Sequence, residues 1–460
     1  MSEVRTLSDD VTGERLPAPP SRVTAWSMTA LLMVLFTINY GDKIVLGIVA
    51  QPLQQEFGLS ASQIGLAGSA FFLAFTVGGF LAGLIDKWIA VRWSLVLLAL
   101  AWAVSMLPMV FAASLAALLV TRILLGLAEG PATALIRTAT YSWHPVEKRS
   151  LPSALLSSAA SIASVLLAPL LAVLVAAFGW RAAFVAMTIL GGLWCALWLL
   201  VWRDGPYTPP RQQRAEVMAD AESPATQKVP WMRIFTTRTF IGSVCAVFAM
   251  YALVSATMTW LPSYFEVGLG YSRLQAGSMS SIPSLVGLAV MFAAGFLSDR
   301  LLGKKVSGRI VRGVLPGVSL LLCGLAMLSI PYIGSAALVV ATISIGFAFG
   351  STIIPMINAG ISQICPPAQL AGTLGLYVAL MYVGGTIAPY ITGSIVDSAA
   401  SAADGYALSF QVFGIVSAIG AILALLLIDP DRDGRKIREA LHPDQRMPKP
   451  SGLQKATDTM

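Results

Sequence analysis

Two pairs of charged residues lie inside long apolar segments, where a charge is costly. Asp42 and Lys43 lie in the first apolar segment, and Arg122 and Glu129 lie in the fourth. Each such charge costs at least about 2.5 to 3.5 kcal/mol on insertion into a bilayer, and such residues usually face a bundle interior or a transport pathway. We therefore expect these four side chains to line one polar cavity.

The residue types in these pairs indicate what the cavity could bind. Arg122 and Glu129 are seven residues apart, which places them on one helix face about 10 Å apart along the axis, too far for a direct ion pair. Arg122 can hold a carboxylate through two parallel hydrogen bonds, and Lys43 can add a second positive charge. Asp42 and Glu129 are candidate proton carriers, because a carboxyl group in a low-dielectric cavity can change protonation near neutral pH. Alternatively, Asp42 only neutralises a base across a helix interface.

The composition of the chain predicts the elements that position these residues. The 460 residues are 56% hydrophobic and 12% charged, with a mean hydropathy of +0.76, which is typical of a membrane protein. One helical crossing needs about 20 apolar residues, so about a dozen crossings fit. The continuously apolar runs argue against the alternating strands of an outer-membrane barrel. We predict an all-α membrane protein with twelve transmembrane helices in two six-helix bundles.

The loops between the apolar spans predict the orientation of the protein. Lys and Arg concentrate in alternate loops, so the positive-inside rule places these loops and both termini in the cytoplasm. The predicted spans start near Thr24, Ser62, Trp93, Leu115, Leu151, Arg181, Thr239, Gln275, Ile310, Ala336, Ala371 and Tyr406.

One long polar segment, between Arg203 and Arg238, divides the spans into two sets of six. This division suggests a transporter with two repeated bundles around a midplane site. The predicted regions are a disordered cytoplasmic tail (1–23), a first bundle (24–202), a cytoplasmic loop (203–238), a second bundle (239–428) and a cytoplasmic tail (429–460).

An acid and a base follow the second span of each half at matching positions. They are Asp86 and Lys87 in the first half and Asp299 and Arg300 in the second. Pairs at equivalent turns could lock the halves in one state and release them in another, so we predict a conformational gate. The alternative is that they are ordinary cytoplasmic loop charges.

Two motifs around the buried charges resemble the major facilitator superfamily, and specifically its anion:cation symporter family. Tyr40-Gly41-Asp42-Lys43 is similar to that family's Tyr-x-Asp-Arg motif, and Arg122 through Gly130 is similar to its Arg-x-x-x-Gly-x-x-Glu pattern. The resemblance implies proton- or sodium-driven uptake of organic anions such as sugar acids. It assigns protonation to Asp42 and Glu129, and binding of the substrate carboxylate to Lys43 and Arg122.

Departures from the family pattern bear on the substrate. Lys43 replaces the usual Arg, and Tyr382 stands where sugar-acid carriers tend to have Asn. Together with Tyr40 and Trp260 on candidate cavity helices, Tyr382 favours a less hydroxylated, even aromatic, carboxylate. Asn358 is a candidate hydrogen-bonding partner for the substrate. Each aromatic residue could instead face lipid or pack between helices.

These observations predict a proton-coupled symporter of a small organic anion in the cell inner membrane, with sodium left open as the coupling ion. The main alternative is a proton-driven exporter or antiporter of an organic anion on the same fold. A non-transporting sensor would need a sizeable cytoplasmic module. No motif predicts an enzyme, a cofactor, a metal site or nucleic-acid binding, and we expect a monomer. Of the two histidines, we expect His144 to be solvated in a cytoplasmic loop.

Overall fold

The computed structural model describes residues 22–112, 114–145, 148–203, 205–207, 228–304, 306–366 and 369–441. Within these ranges all regular secondary structure is helical. Residues 1–21 of the predicted N-terminal tail, most of the predicted central loop and residues 442–460 lie outside the described ranges.

Twelve helices in the described ranges are long and apolar enough to cross a membrane, which confirms the predicted number of spans. We refer to them as the first to the twelfth span. Their observed starts lie within four residues of the predicted ones. The spans are Arg22–Phe57, Ala61–Phe80, Val91–Phe111, Leu115–Tyr141, Leu151–Phe178, Arg181–Val201, Arg238–Gly268, Arg273–Ser298, Ile310–Tyr332, Ala336–Ile364, Gly372–Ser398 and Ala402–Leu427.

Capping residues set the exact starts of several spans. Ser60 accepts a hydrogen bond from Gln63 N, and the Gln63 side chain accepts one from Ser60 N, forming a capping box before the second span. Ser272 and Gln275 form the same box before the eighth span. Such boxes satisfy backbone N–H groups that have no partner within the helix.

The two halves of the chain contact each other closely at one end of the molecule. A Cβ atom at Gly65 in the second span would overlap the backbone of Pro389, and one at Gly393 in the eleventh span would overlap the backbone of Ala61. Only glycine allows such a close backbone approach. We call this the closed end; it is the end at which the first span finishes, at Phe57.

At the other end of the molecule, glycines in helices of both halves have no close neighbour. A Cβ atom at Gly83, Gly295 or Gly375 would meet nothing within 4 Å. Because the number of spans is even, the described chain ends Arg22 and Leu441 both lie on this side, which we call the open end. The described contacts between the two halves are therefore tight at the closed end, while these three glycines at the open end are exposed.

A carboxylate from the second half holds a helix of the first half at the closed end. Asp397 accepts hydrogen bonds from the backbone N–H groups of Ala61 and Ser62, each at 2.8 Å. These N–H groups begin the second span, where the helix dipole favours a negative charge. We call this arrangement the closed-end clasp.

Part of the predicted C-terminal tail is a helix that packs on the second bundle. Pro430–Leu441 is helical, and the buried Asp433 accepts hydrogen bonds from Thr239 N at 2.9 Å and Thr239 Oγ1 at 2.8 Å. Burial raises the pKa of Asp433, but the hydrogen bonds from Arg432 and Thr239 outweigh it and lower this pKa overall. Residues 430–441 therefore extend the second bundle.

The expectation that His144 is solvated is wrong. His144 is buried at the open end, its Nε2 lies 2.7 Å from Thr29 Oγ1, and its ring packs on Trp26. Burial and the nearby Arg149 guanidinium lower the pKa of His144, so the ring is neutral near pH 7 and ties the first span to the loop after the fourth.

Candidate functional site

Lys43 and Glu129 form an ion pair in the interior of the first bundle. Lys43 Nζ lies 2.6 Å from Glu129 Oε2, and the two side chains are 3% and 0% exposed. Lys43 Nζ also donates to Asn39 Oδ1 at 2.6 Å and to the Asn39 carbonyl at 3.2 Å. Lys43 is predicted to bind the substrate carboxylate, but in this conformation its ammonium is bound to Glu129.

Arg122 lies beside this ion pair but is only partly satisfied. Its Nη1 donates to the backbone carbonyl of Asp42 at 3.0 Å. Its Nε and Nη2 are buried and find no acceptor among the described residues. The Nε and Nη2 edge of a guanidinium is one that can bind both oxygens of a carboxylate, so the site contains an unused carboxylate-binding edge. As predicted, Arg122 does not pair with Glu129.

The two acids of the site contact each other. The side chains of Asp42 and Glu129 are in hydrogen-bonding contact. Asp42 Oδ2 and Glu129 Oε1 are buried and receive no hydrogen bond from a nitrogen or hydroxyl group in the described part of the chain. Two carboxyl groups in contact can satisfy each other only when one of them carries a proton. This pair of acids is therefore a place where the site can bind a proton.

Aromatic rings enclose the cation of this site and connect it to the second bundle. Lys43 Nζ lies 4.9 Å from the ring centre of Tyr40 and 5.0 Å from that of Phe75. The Phe75 ring lies 4.9 Å from Tyr382, and Tyr382 lies 4.7 Å from Tyr251. Two of the predicted substrate residues, Tyr40 and Tyr382, thus lie at the meeting of the two bundles beside the charged residues.

The other two predicted substrate residues, Trp260 and Asn358, make no hydrogen bond or ring contact with this cluster among the described residues. Trp260 is fully buried, and its Nε1 donates to the carbonyl of Pro389 at 3.0 Å while its ring packs on Tyr406. This N–H is not available to a ligand in the conformation described. Asn358 is half-buried in the tenth span, and its Oδ1 receives no hydrogen bond within the described ranges.

The predicted gate residues lie at the open end. Asp86 and Lys87 belong to a short helix, Ala82–Trp88, that follows the second span, and Lys87 is exposed beside the Trp88 ring. Arg300 is exposed on the helix Ile282–Gly303, which also contains Asp299. The side chain of Asp299 lies outside the description, so the gate stays a prediction.

One further cation, Arg137, was not singled out in the sequence. It lies in the fourth span eight residues after Glu129 and is half-buried. It is near enough to Tyr40 and Tyr382 to act on both electrostatically. Its position about two helical turns after Glu129 could have indicated that it belongs near the site.

The whole arrangement matches a known family of membrane proteins. Residues 31–358 and 312–455 match the Major Facilitator Superfamily. The chain belongs to the major facilitator superfamily. The expected fold of two six-helix bundles is thereby confirmed, and the sequence resemblance is confirmed at the level of the superfamily.

Curated relatives within the major facilitator superfamily carry names of organic-acid transporters. The chain is 30% identical to a Bacillus subtilis protein named as a probable galactarate/D-glucarate transporter, over 94% of this chain and 98% of that protein. It is 26% identical to a Bacillus subtilis hexuronate transporter, over 84% of this chain and 92% of that protein.

Solved structures of the superfamily share the fold. A bacterial homologue of the human lysosomal transporter Spinster, in an inward-facing conformation, superposes with a TM-score of 0.74 at 18% identity and covers 91% of this chain and 99% of its own. A D-xylose–proton symporter superposes with a TM-score of 0.72 at 16% identity, covering 88% and 98%. At these identities the similarity shows the fold alone.

Proposed function

We propose that this protein takes up a small organic anion together with a proton by alternating access across the cell inner membrane. The observation that carries the proposal is the buried cluster of Asp42, Lys43, Arg122 and Glu129. It combines an unused carboxylate-binding edge on Arg122 with two acids in contact. Anion binding and proton binding therefore have separate groups within one buried cluster.

The coupling step follows from competition for Lys43. When Glu129 is ionised, it holds the Lys43 ammonium at 2.6 Å. A proton on Glu129 would remove the charge that holds Lys43 and leave its ammonium free for the substrate carboxylate beside Arg122. Loss of the proton would restore the ion pair and expel the anion. The two protonation states thus favour different partners for the Lys43 ammonium, either Glu129 or the substrate carboxylate.

The class of substrate is supported by the relatives and by the site. Relatives are named for galactarate, D-glucarate, hexuronate, sulfoacetate and D-galactonate, all organic anions. The rings of Tyr40 and Phe75 lie beside the Lys43 cation, and Tyr382 and Tyr251 extend this aromatic cluster. Their apolar surface also suits a less hydroxylated acid.

Both termini and the open end lie on the cytoplasmic side in this proposal. The basic loops after the second, fourth and eighth spans all lie at the open end, as the positive-inside rule requires. The conformation described is then the one that releases substrate into the cell. Asp86, Lys87, Asp299 and Arg300 would approach one another when the open end closes.

Uptake into proteoliposomes tests the proposal. Radiolabelled organic acids would be supplied under an imposed inward proton gradient to the wild type, Arg122→Ala, Glu129→Gln and the exposed control Arg238→Gln. Arg122→Ala should lose uptake by at least about 100-fold, since it removes the charged donor for the carboxylate. Glu129→Gln should lose gradient-driven accumulation but retain exchange of internal for external substrate.

Two outcomes would contradict the proposal. Accumulation by Glu129→Gln that still follows the proton gradient would exclude Glu129 as the coupling acid. Extrusion of the acids by the wild type against their gradient, without uptake, would favour the exporter.

A further inference from the structure

Arg137 is the cation of this site that the open end exposes. Lys43 is 3% exposed on its side chain and paired with Glu129, and Arg122 is 1% exposed. Arg137 is half-buried, and its nitrogens are not among the buried unpaired atoms. Within the described ranges it has no acid partner and no hydrogen-bond acceptor. An anion that arrives from the open end therefore meets Arg137 before it meets the buried cations.

Arg137 lies on the same helix as Arg122 and Glu129, nearer to the open end. It lies eight residues after Glu129 on a continuous helix, a rise of about 12 Å between the two Cα atoms. The Tyr40 ring lies 4.9 Å from Lys43 Nζ, and Tyr40 is also within electrostatic range of Arg137. Tyr382 of the second bundle is also within electrostatic range of Arg137.

The charges of the site fit a substrate with two negative groups. Asp42 and Glu129 cancel Lys43 and Arg122 when all four are ionised. Arg137 then leaves one positive charge, and a proton on the acid pair leaves two. A dianion with one proton would make the loaded site electrically neutral, and neutrality lowers the cost of moving the site through a low-dielectric interior.

We propose that Arg137 binds the second acid group of an elongated dianion whose first carboxylate is held by Arg122 and Lys43. This inference rests on the function proposed above and specifies its substrate class. Tyr40 and Tyr382 would line the middle of the molecule. An unpaired guanidinium at one end and an unused guanidinium edge at the other define the two acid subsites.

Matched pairs of acids that differ by one carboxylate test this assignment. Galactarate and galactonate form a hydroxylated pair, and terephthalate and benzoate form an aromatic pair. Binding to detergent-purified protein and uptake into proteoliposomes would be measured for the wild type, Arg137→Gln, Arg137→Lys and the exposed control Arg238→Gln. Arg137→Gln should weaken binding of the dianion about 10- to 100-fold and binding of the monoanion less than about threefold.

The two variants of Arg137 distinguish a direct contact with the substrate from a purely structural role. Arg137→Lys should retain part of the dianion affinity, because it keeps the charge but loses the two-pronged geometry. Equal losses for both members of a pair, or no loss for either dianion, would overturn the assignment. Uptake of only monoanions by the wild type would overturn it while leaving the proposed function intact. Failure of the wild type to bind or accumulate all four acids would overturn both.

Discussion

The two bundles differ in the kind of polar residue that they bury. In the described ranges, the buried charged residues within the spans all lie in the first bundle: Asp42, Lys43, Arg122 and Glu129. The fully or nearly buried tyrosines all lie in the second: Tyr251, Tyr264, Tyr377 and Tyr406. One bundle thus presents charges and protonation sites, and the other presents rings with neutral hydroxyl groups.

This difference has an energetic reason. Each charge in a lipid-embedded helix bundle is costly, and the cost falls when opposite charges neutralise each other. Collecting the four charges in one cluster lets Lys43 and Glu129 pair directly. A tyrosine adds a large apolar surface and one polar atom without a charge. The division suggests that the first bundle determines which charge is carried and the second determines which shape is accepted.

The largest expected effect would come from breaking the ion pair of the first bundle. Lys43→Met leaves Glu129 buried without its cation, which costs about 3 to 5 kcal/mol in comparable buried pairs. We expect a lower thermal unfolding temperature for the purified protein at pH 8. The loss should shrink at pH 5, where protonated Glu129 carries no charge.

The double variant Lys43→Met with Glu129→Gln is the control for this experiment. It removes both charges and should unfold at a temperature near that of the wild type. If Lys43→Met alone were as stable as the wild type at pH 8, the pair would not be ionised and the contrast between the bundles would be wrong.

A smaller effect is expected from Asp397, a carboxylate of the second bundle that contacts the first. Asp397→Asn removes the charge and one of the two acceptors of the closed-end clasp. This should shift the equilibrium between conformations about tenfold, corresponding to about 1.4 kcal/mol, toward opening of this end. Substrate affinity at the central site should change little.

Spin labels on Phe178 and Leu338, both exposed at the closed end in different bundles, would report this shift as longer distances. Asp404→Asn is a matched control, because Asp404 is exposed at the same end and contacts Ser401 of its own bundle. A distance distribution unchanged by Asp397→Asn would show that the clasp does not hold the end closed.

The smallest effect should come from a hydroxyl group in the second bundle. Tyr382→Phe keeps the ring that packs on Phe75 and Tyr251 and removes one polar atom. We expect the KM for uptake to change by less than about threefold, against a much larger loss for Tyr382→Ala. A loss with Tyr382→Phe as large as with Arg122→Ala would show that the second bundle also binds the charged group.

Hydropathy and helical spacing predicted most of the fold. The twelfth span shows the limit of this approach, because it was predicted from Tyr406 but begins at Ala402, where Ser401 accepts a hydrogen bond from Asp404 N. The capping residues are polar, so a hydropathy average along the chain does not include them in the span. The C-terminal helix Pro430–Leu441 was missed for the same reason, since its polar residues read as a tail.

The sequence predicted which residues form the candidate site, but it did not predict which of them contact each other. The seven-residue spacing placed Arg122 and Glu129 on one face, as observed. Spacing within one helix could not show that Lys43 of another helix reaches Glu129, because that depends on how the two helices are aligned. It also could not show that Trp260 donates to the Pro389 carbonyl, which leaves its N–H unavailable to a substrate.

Substitutions at the three residues of the closed-end clasp should disturb it to very different extents. Asp397 contributes a side chain, but its partners at Ala61 and Ser62 contribute only backbone N–H groups. Replacing Ala61 or Ser62 by most other residues leaves those donors in place; proline is the exception, because it has no N–H. A mutational scan of the whole chain would therefore register this contact strongly at one position and hardly at all at the other two.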